Sequence, residues 1–355
     1  MKPINVLSLF DGMSCGQIAL DRLGVPVNKY YASEIDKHAI KVCKKNYPKT
    51  IHVGDVTALD PKDYTDISLI LAGSPCQGFS MAGKKLAFDD PRSALFFEFI
   101  RLLKGIKPKY FLLENVSMSQ VHLDIISEQV SAVYPEHKED GDFFGGAIKP
   151  HFFNSSKVSA QSRDRYYWTN IKGIKEPKDR GIVITDILET NKDKQNIVKS
   201  NDKFNKPKKL DTEVGTQQIL EFIKSERTKD ITPDELEDCV IPYDSKSIKI
   251  IKNLKEGEIA ATHIGHSETF GNSVSRSGKA YTVIAKRANG IIQREKQLKY
   301  RSFTPVEVER LQTVPDNYTS CVSRAQRIKM LGNGWTVEMI CHILSYMDFS
   351  NDNRL

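Results

Sequence analysis

The chain has 355 residues, a mass of 40.2 kDa, 39% hydrophobic and 27% charged residues, a mean hydropathy of −0.41 and a formal net charge of +7. This is enough chain for one large domain or two modest ones with a self-sufficient core, and the composition excludes a disordered, collagen-like or membrane-spanning protein. The apolar start MKPINVLSLF stops at Asp11 and is too short for a signal peptide, and cysteines 15, 43, 76, 239, 321 and 341 form no CxxC pair, so the expectation is a soluble, cytoplasmic chain with reduced thiols.

In chain order, INVLSLF at 4–10 reads as a buried strand and SCGQIALDRLG at 14–24 has helical spacing ending on Gly24. VNKYYASE at 27–34 is a second strand, and DKHAIKVCKKNY at 36–47 is a second helix opened by Asp36. ISLILAG at 67–73, the helical SALFFEFIRLLKGI at 93–106 and YFLLEN at 110–115 continue the alternation, which predicts an α/β fold built on a parallel sheet. Past Ile171 the sequence turns polar and lysine-rich, marking a boundary near 170. PVEVERLQTV at 305–314 and RIKMLGNGWTVEMICHILSYM at 327–347 return to helical periodicity. Ligands of such sheets lie beyond the carboxyl ends of the strands, which singles out 10–16, 33–36, 54–56, 73–80 and 114–116.

Residues 171–210 hold eleven Lys and Arg against six Asp and Glu, and residues 271–310 hold nine against three, leaving −4 for the remainder. This concentration predicts a polyanion-binding part attached to a part with other work; the alternative is a solvated lysine-rich surface.

The first strand-to-helix turn, FDGMSCG, lacks the GxGxxG of dinucleotide folds, and its Asp11 would repel a pyrophosphate while suiting an ammonium or sulfonium charge. Glu34, 22 residues after Gly12, stands where an acid accepts from both ribose hydroxyls, and Asp55 in GDV suits an adenine amino group. A ribose-bearing, phosphate-free cofactor fits S-adenosylmethionine. The structural alternatives are helix capping for Asp36 and turn formation for Gly54 and Asp55.

GSPCQGFS at 73–80 places Cys76 in a loop after an apolar strand, stiffened by Pro75 and loosened by Gly78. LLENV ends the next strand on Glu114, where partial burial favours the protonated acid that a proton donor needs. In QSRDR the alternation of a strand puts Arg163 and Arg165 on one side, suited to an acidic ligand or to developing negative charge; the alternative is a surface salt-bridge ladder.

Taken in order, FDGMSCG, ASEID, GDV, SPCQGFS, LLENV, QSRDRYYW, RSFTPVEVERLQTVPDNYT and MLGNGW resemble the motifs of the cytosine-C5 DNA methyltransferases of the bacterial and phage modification type. The resemblance implies a Rossmann-like S-adenosylmethionine-dependent methyltransferase fold with a smaller, variable target-recognition domain. It divides the chain into a catalytic and cofactor-binding domain at 1–170, a DNA-binding domain at 171–300 and a C-terminal segment at 301–355 whose helices return to the catalytic domain. The implied reaction transfers a methyl group from S-adenosylmethionine to carbon 5 of a cytosine flipped out of duplex DNA.

By the same resemblance Cys76 is the nucleophile, Glu114 protonates ring nitrogen N3, Arg165 holds the cytosine O2, Arg163 supports charge near the nucleophile and the phosphates, and Asn115 holds the Pro75–Cys76 loop. Phe10 packs on the adenine, Glu34 binds the ribose and Asp55 the adenine amino group. Ile35 supplies an aliphatic face for the adenine in place of the more frequent aromatic residue. Asn333 closes over the methionine end alongside the backbone of Gly12, and Asp11, Val56 and Pro75 complete the cofactor set. Gln77, Ser80, Arg163, Arg165, Arg276 and Arg287 are the DNA-binding candidates. Ser8 and Ser74 also depart from the common family pattern without touching the chemistry. The implied partners are double-stranded DNA and a cognate restriction endonuclease, with the enzyme monomeric, off membranes and in a prokaryotic or phage-infected cytoplasm. The rival readings are a tRNA cytosine-C5 methyltransferase, disfavoured by the long variable region, and an inactive DNA-binding regulator, disfavoured by the complete set of motif residues.

Overall fold

Short apolar strands alternating with helices assemble into a seven-stranded sheet in a computed structural model, which describes residues 2–74, 91–137, 147–189, 229–231, 253–255, 258–263, 273–275, 278–280, 289–294 and 298–348. All six residues of β1 (Ile4–Leu9) are buried, because β2 (Val27–Ser33) and β4 (Leu69–Ala72) pair with it in parallel on its two sides and helices cover both faces. β3 (Ile51–His52) lies beyond β2, and β5 (Tyr110–Val116) beyond β4. β6 (His151–Asn154) and β7 (Asp164–Thr169) close the other edge, giving the order β3-β2-β1-β4-β5-β7-β6.

The α/β expectation holds, with one correction to the all-parallel sheet. β7 runs antiparallel to both β5 and β6, since β6 and β7 form an antiparallel pair that needs no helical crossover. That reversal brings Arg165 beside Val116, one residue from Asn115 and two from Glu114.

α1 (Cys15–Arg22), α2 (Lys37–Asn46), α3 (Pro91–Ile106) and α4 (Gln120–Ser131) are the connecting helices, the first three at the expected places. Asp36 caps α2, accepting from the His38 backbone N–H at 2.8 Å. α1 stops just before Gly24, which takes a left-handed φ of 63°. A short helix, α5 (Ile184–Ile187), follows the sheet; its Ile184 and Ile187, with Ile171, share one buried cluster with β1 and α1 despite the polar sequence around them.

A second, antiparallel sheet has the order β10-β9-β11-β12-β8, from β8 (Lys229–Ile231), β9 (Ile259–His263), β10 (Ser273–Ser275), β11 (Asn289–Arg294) and β12 (Leu298–Ser302). Ala280 makes an isolated parallel bridge to Gln161, and it is β12 that leads into the RSFTP segment.

α6 (Pro305–Leu311), α7 (Arg324–Asn333) and α8 (Val337–Leu344) follow. They pack on the first sheet's unit: Tyr318 donates to the Met13 carbonyl at 2.7 Å, Cys341 to Ala19 at 3.7 Å, and Arg22 pairs with Glu338 at 2.7 Å. α6 starts on a capping box in which Thr304 and Glu307 exchange backbone bonds. On the same helix Glu309 is fully buried, accepting from the backbone of Asn317 and Thr319 at 2.7 and 2.8 Å, from the Thr319 hydroxyl, and from Arg327 at 2.9 Å. A buried carboxylate tolerates this position only while its cation remains. Arg327→Met is therefore expected to lower unfolding free energy by about 3–5 kcal/mol, read from the denaturant midpoint; a loss under 1 kcal/mol would mean that the backbone donors suffice.

Candidate active site

Chain direction brings the carboxyl ends of β1, β2, β4 and β5 to one rim. At the end of β1 the turn is tight enough to place Phe10, Gly12 and Ser14 at φ of 57°, 59° and 66°, so two side-chain-bearing residues occupy the left-handed region. Buried bonds hold this turn. The Asp11 backbone N–H donates to the Ser33 carbonyl at 3.0 Å, and its carboxylate accepts from the Tyr30 hydroxyl at 2.8 Å and from the Ser14 hydroxyl. Asp11 is 9% exposed, and burial pushes its pKa from 3.8 up to about 6 against the lowering effect of these hydroxyls.

Glu34, at the end of β2, accepts from the backbone of Gly12 at 2.8 Å and of Ile35 and Asp36 at 2.7 Å each. A carboxylate has about four acceptor sites, so a fixed, partly exposed acceptor position remains. Ile35 beside it is 75% exposed. Asp55 follows β3 and caps a short turn through the Thr57 N–H at 3.0 Å and hydroxyl at 2.9 Å, with Val56 buried beneath. Capping thus occupies Asp36 and Asp55, as the structural alternatives expect. Asn333 is exposed at the end of α7.

The catalytic candidates meet at the carboxyl end of β5. Asn115 donates to the Ser74 hydroxyl at 3.2 Å and accepts from the Val116 N–H at 2.8 Å, tying β5 to the residue before the 75–80 loop. Pro75, Cys76, Gln77 and Ser80 lie outside the described residues, as do Arg276 and Arg287. Glu114 is 8% exposed and pairs with the Arg165 Nε at 2.7 Å. Its second oxygen accepts from the indole N–H of Trp335 at 3.1 Å. Arg163 is buried and donates to the carbonyls of Gly332 and Gly334 at 3.2 and 2.9 Å. Burial first, and then the charge of Arg165, lowers its pKa to about 9, with Glu114 offsetting part of this; Arg163 stays a cation at neutral pH. Both arginines are buried, so the surface-ladder alternative is excluded.

Trp335 is the residue that the sequence expectations omit. Its indole lies so close to Gly73 that a Cβ there would stand 2.8 Å from Nε1. The available signal was its position: one of only two tryptophans, it directly follows the Gly-Asn-Gly of MLGNGW. Among the described residues, no group of His, Cys, Asp and Glu is arranged to hold a metal ion and no helix is long and apolar enough to cross a membrane.

The family model described as C-5 cytosine-specific DNA methylase matches residues 4–348. The chain is 31% identical over 322 residues to the Type II methyltransferase M1.ScrFI of Lactococcus lactis subsp. cremoris, covering 90% of this chain and 72% of that protein. It is 29% identical to the orphan methyltransferase M.Rho11sI of Bacillus phage rho11s, over 82% of this chain and 56% of the phage protein. In fold it is similar to the Entamoeba histolytica methyltransferase EhMeth, with a TM-score of 0.59 and 17% identity over 98% of each chain.

The turn that carries Asp11 has a measurable pH signature. The folded-state pKa lies above the unfolded one, so the native protein holds the extra proton between about pH 4 and 6. Asp11 therefore contributes stability fully below that window, and the contribution is lost as pH rises through about 6. Against Asp11→Asn, the parent should lose roughly 3 kcal/mol of relative stability across this range, seen by denaturant unfolding at pH 4, 5, 6 and 7. Parallel pH curves for the two proteins would refute the assignment.

Proposed function

Since the chain belongs to the C-5 cytosine-specific DNA methylases, we propose that it transfers a methyl group from S-adenosylmethionine to carbon 5 of a cytosine extruded from a specific duplex site, protecting that DNA in a restriction-modification system or in a phage. The observation that carries this reading is the buried Glu114 carboxylate, held by Arg165 and Trp335 beside Asn115 and its bond to Ser74.

The rim residues fit the cofactor by their chemistry: acceptors at Glu34 and Asp55, an open aliphatic face at Ile35, the partly buried Phe10 ring at the end of β1, and a turn without the glycine pattern of a pyrophosphate site. Glu34 would take the ribose hydroxyls, Asp55 and the Val56 backbone the adenine edge, and Pro75, Asn333 and Gly12 the methionine end. When bound, the cofactor supplies a methyl group on a cationic sulfur. Asp11 acts here chiefly through the turn it anchors, since its oxygens already serve Tyr30 and Ser14.

Carbon 5 of cytosine is too weak a nucleophile to take that methyl unaided. The Cys76 thiolate forms a bond to carbon 6, and Glu114 delivers a proton to N3, so the electron pair of the 5,6 double bond becomes available at carbon 5 as an enamine. Arg165 holds O2 and orients Glu114, and Arg163 keeps a positive charge near the thiolate. After methylation the carbon-5 proton leaves to solvent, the 5,6 double bond re-forms as the thiolate is expelled, and N3 returns its proton to Glu114. Extruding the base costs a few kcal/mol, which contacts by Gln77 and Ser80 of the 73–80 loop and phosphate contacts by Arg276, Arg287 and other basic residues of the second unit would offset. The enzyme works as a monomer in a bacterial or phage-infected cytoplasm, alongside a cognate endonuclease where one exists.

Purified protein is expected to move labelled methyl groups from S-adenosylmethionine to duplex DNA, and Cys76→Ser to abolish this with cofactor affinity retained. Label appearing on tRNA and not on DNA would select the rival substrate. Glu114→Gln should slow turnover by about 10²–10⁴-fold with cofactor affinity retained; parental rates would remove Glu114 from the role of acid. Bisulfite sequencing of DNA from expressing cells gives activity and recognition site together.

A further inference from the structure

The structure assigns Trp335 as a positioning residue for methyl transfer: its indole N–H fixes the Glu114 carboxyl in the orientation from which the cytosine ring is protonated. This rests on the reading of Glu114 as the ring acid.

A carboxyl on a flexible side chain has two chemically equal oxygens, and protonating a base in a fixed pocket requires one of them to face it. Arg165 engages Oε1 and Trp335 engages Oε2, from different parts of the chain and at 2.7 and 3.1 Å. Arg165 alone leaves the carboxyl free to swing about that contact; a second donor on the other oxygen removes the freedom. Trp335 is itself 9% exposed and is locked from two directions. Gly73 leaves no side chain where the indole lies, since a Cβ there would fall 2.8 Å from Nε1 and 3.2 Å from the adjoining ring carbons. Behind the indole, Arg163 grips the Gly332 and Gly334 carbonyls and sets the direction in which the chain leaves the turn. The Cys15 thiol, 3.8 Å from the Trp335 carbonyl, holds the same residue to α1. Each of these contacts either fixes the indole or is the bond to Glu114. A residue serving only to fill space would need neither a glycine opposite nor an N–H aimed at the acid of the site.

The link also runs to the cofactor side. Asn333, two residues earlier, belongs to the turn proposed to close over the methionine end, so this short segment spans both substrates of the reaction. A shift of the turn moves Asn333 and the Glu114 partner together.

Trp335→Phe keeps the ring against Gly73 and deletes only the N–H donor. The expected result is a fall in kcat of about 10- to 100-fold, with KM for both S-adenosylmethionine and DNA within about twofold of the parent. In the Glu114→Gln background the same substitution should cause no further loss, because the indole acts through that carboxyl. Gly73→Ala reads the same bond from the opposite side, displacing the indole, and should reproduce the kcat loss; it also stands in if Trp335→Phe fails to fold. An unchanged kcat in both single variants, a loss confined to KM, or an equal fold-loss in the Glu114→Gln background would overturn the assignment. A parental rate in Glu114→Gln alone would instead overturn the acid reading, a result distinguishable from failure of Trp335.

Discussion

The site depends on a carboxyl group buried near the end of β5. Glu114 follows Phe111 to Leu113, which are fully buried, and a carboxyl there is tolerable only with its polar atoms partnered. Its partners come from far apart in sequence: Arg165, as an ion pair, from the reversed strand β7, and Trp335, as a hydrogen-bond donor, from the turn between α7 and α8. Desolvation of one acid thus constrains the direction of β7 and the return of the C-terminal segment. Had β7 run parallel to β5, Arg165 would have had no reason to end opposite Val116.

Arg163 extends that constraint. A buried guanidinium with a pKa lowered to about 9 is a costly residue, and its Nη2 donates to two backbone carbonyls of the Gly332–Gly334 turn. Carbonyl oxygens carry no countercharge, so these bonds leave the positive charge in place to stabilise negative charge developing nearby. That is what a thiolate and a polarised cytosine require of their surroundings. The two arginines of QSRDR, two residues apart on one face, therefore act differently. In the proposed mechanism Arg165 orients the acid, whereas Arg163 holds the turn and supplies the field.

The order of strands and helices through β5, apart from the two-residue β3, was legible because each element announces itself locally: continuous apolar runs for doubly covered strands, Asp36 as a cap, Gly24 as a stop. The site residues Glu114, Asn115, Arg163 and Arg165 were legible because they fall at strand ends or in short polar motifs. What was not legible depends on contacts across long separations. Nothing local in QSRDRYYW gives its direction in the sheet, since strand pattern is the same for parallel and antiparallel neighbours. Trp335 finds its partner 221 residues earlier, and a tryptophan after a glycine turn reads equally well as core. The buried isoleucines of 171–189 were masked by surrounding lysines, which lie at the surface around them.

Charge read from the sequence needs the same correction. The two basic stretches account for the positive excess of the chain, yet several of their cations are engaged within the fold. Lys279 donates to the carbonyls of Ser156, Ser159 and Ile182. Arg180 pairs with Glu338 at 2.5 Å, and Arg310 binds Asp316 while also reaching the carbonyls of Ile187 and Leu188. These side chains stitch the 171–189 strap and the C-terminal helices to the first sheet. Releasing them to phosphates would cost the hydrogen bonds they already make, so they add to the long-range field that attracts a polyanion but not to its contact surface. If, as proposed, these stretches carry the DNA contacts, those contacts fall to their remaining basic side chains, and a salt-dependence of binding shallower than the full count of lysines and arginines is the physical consequence.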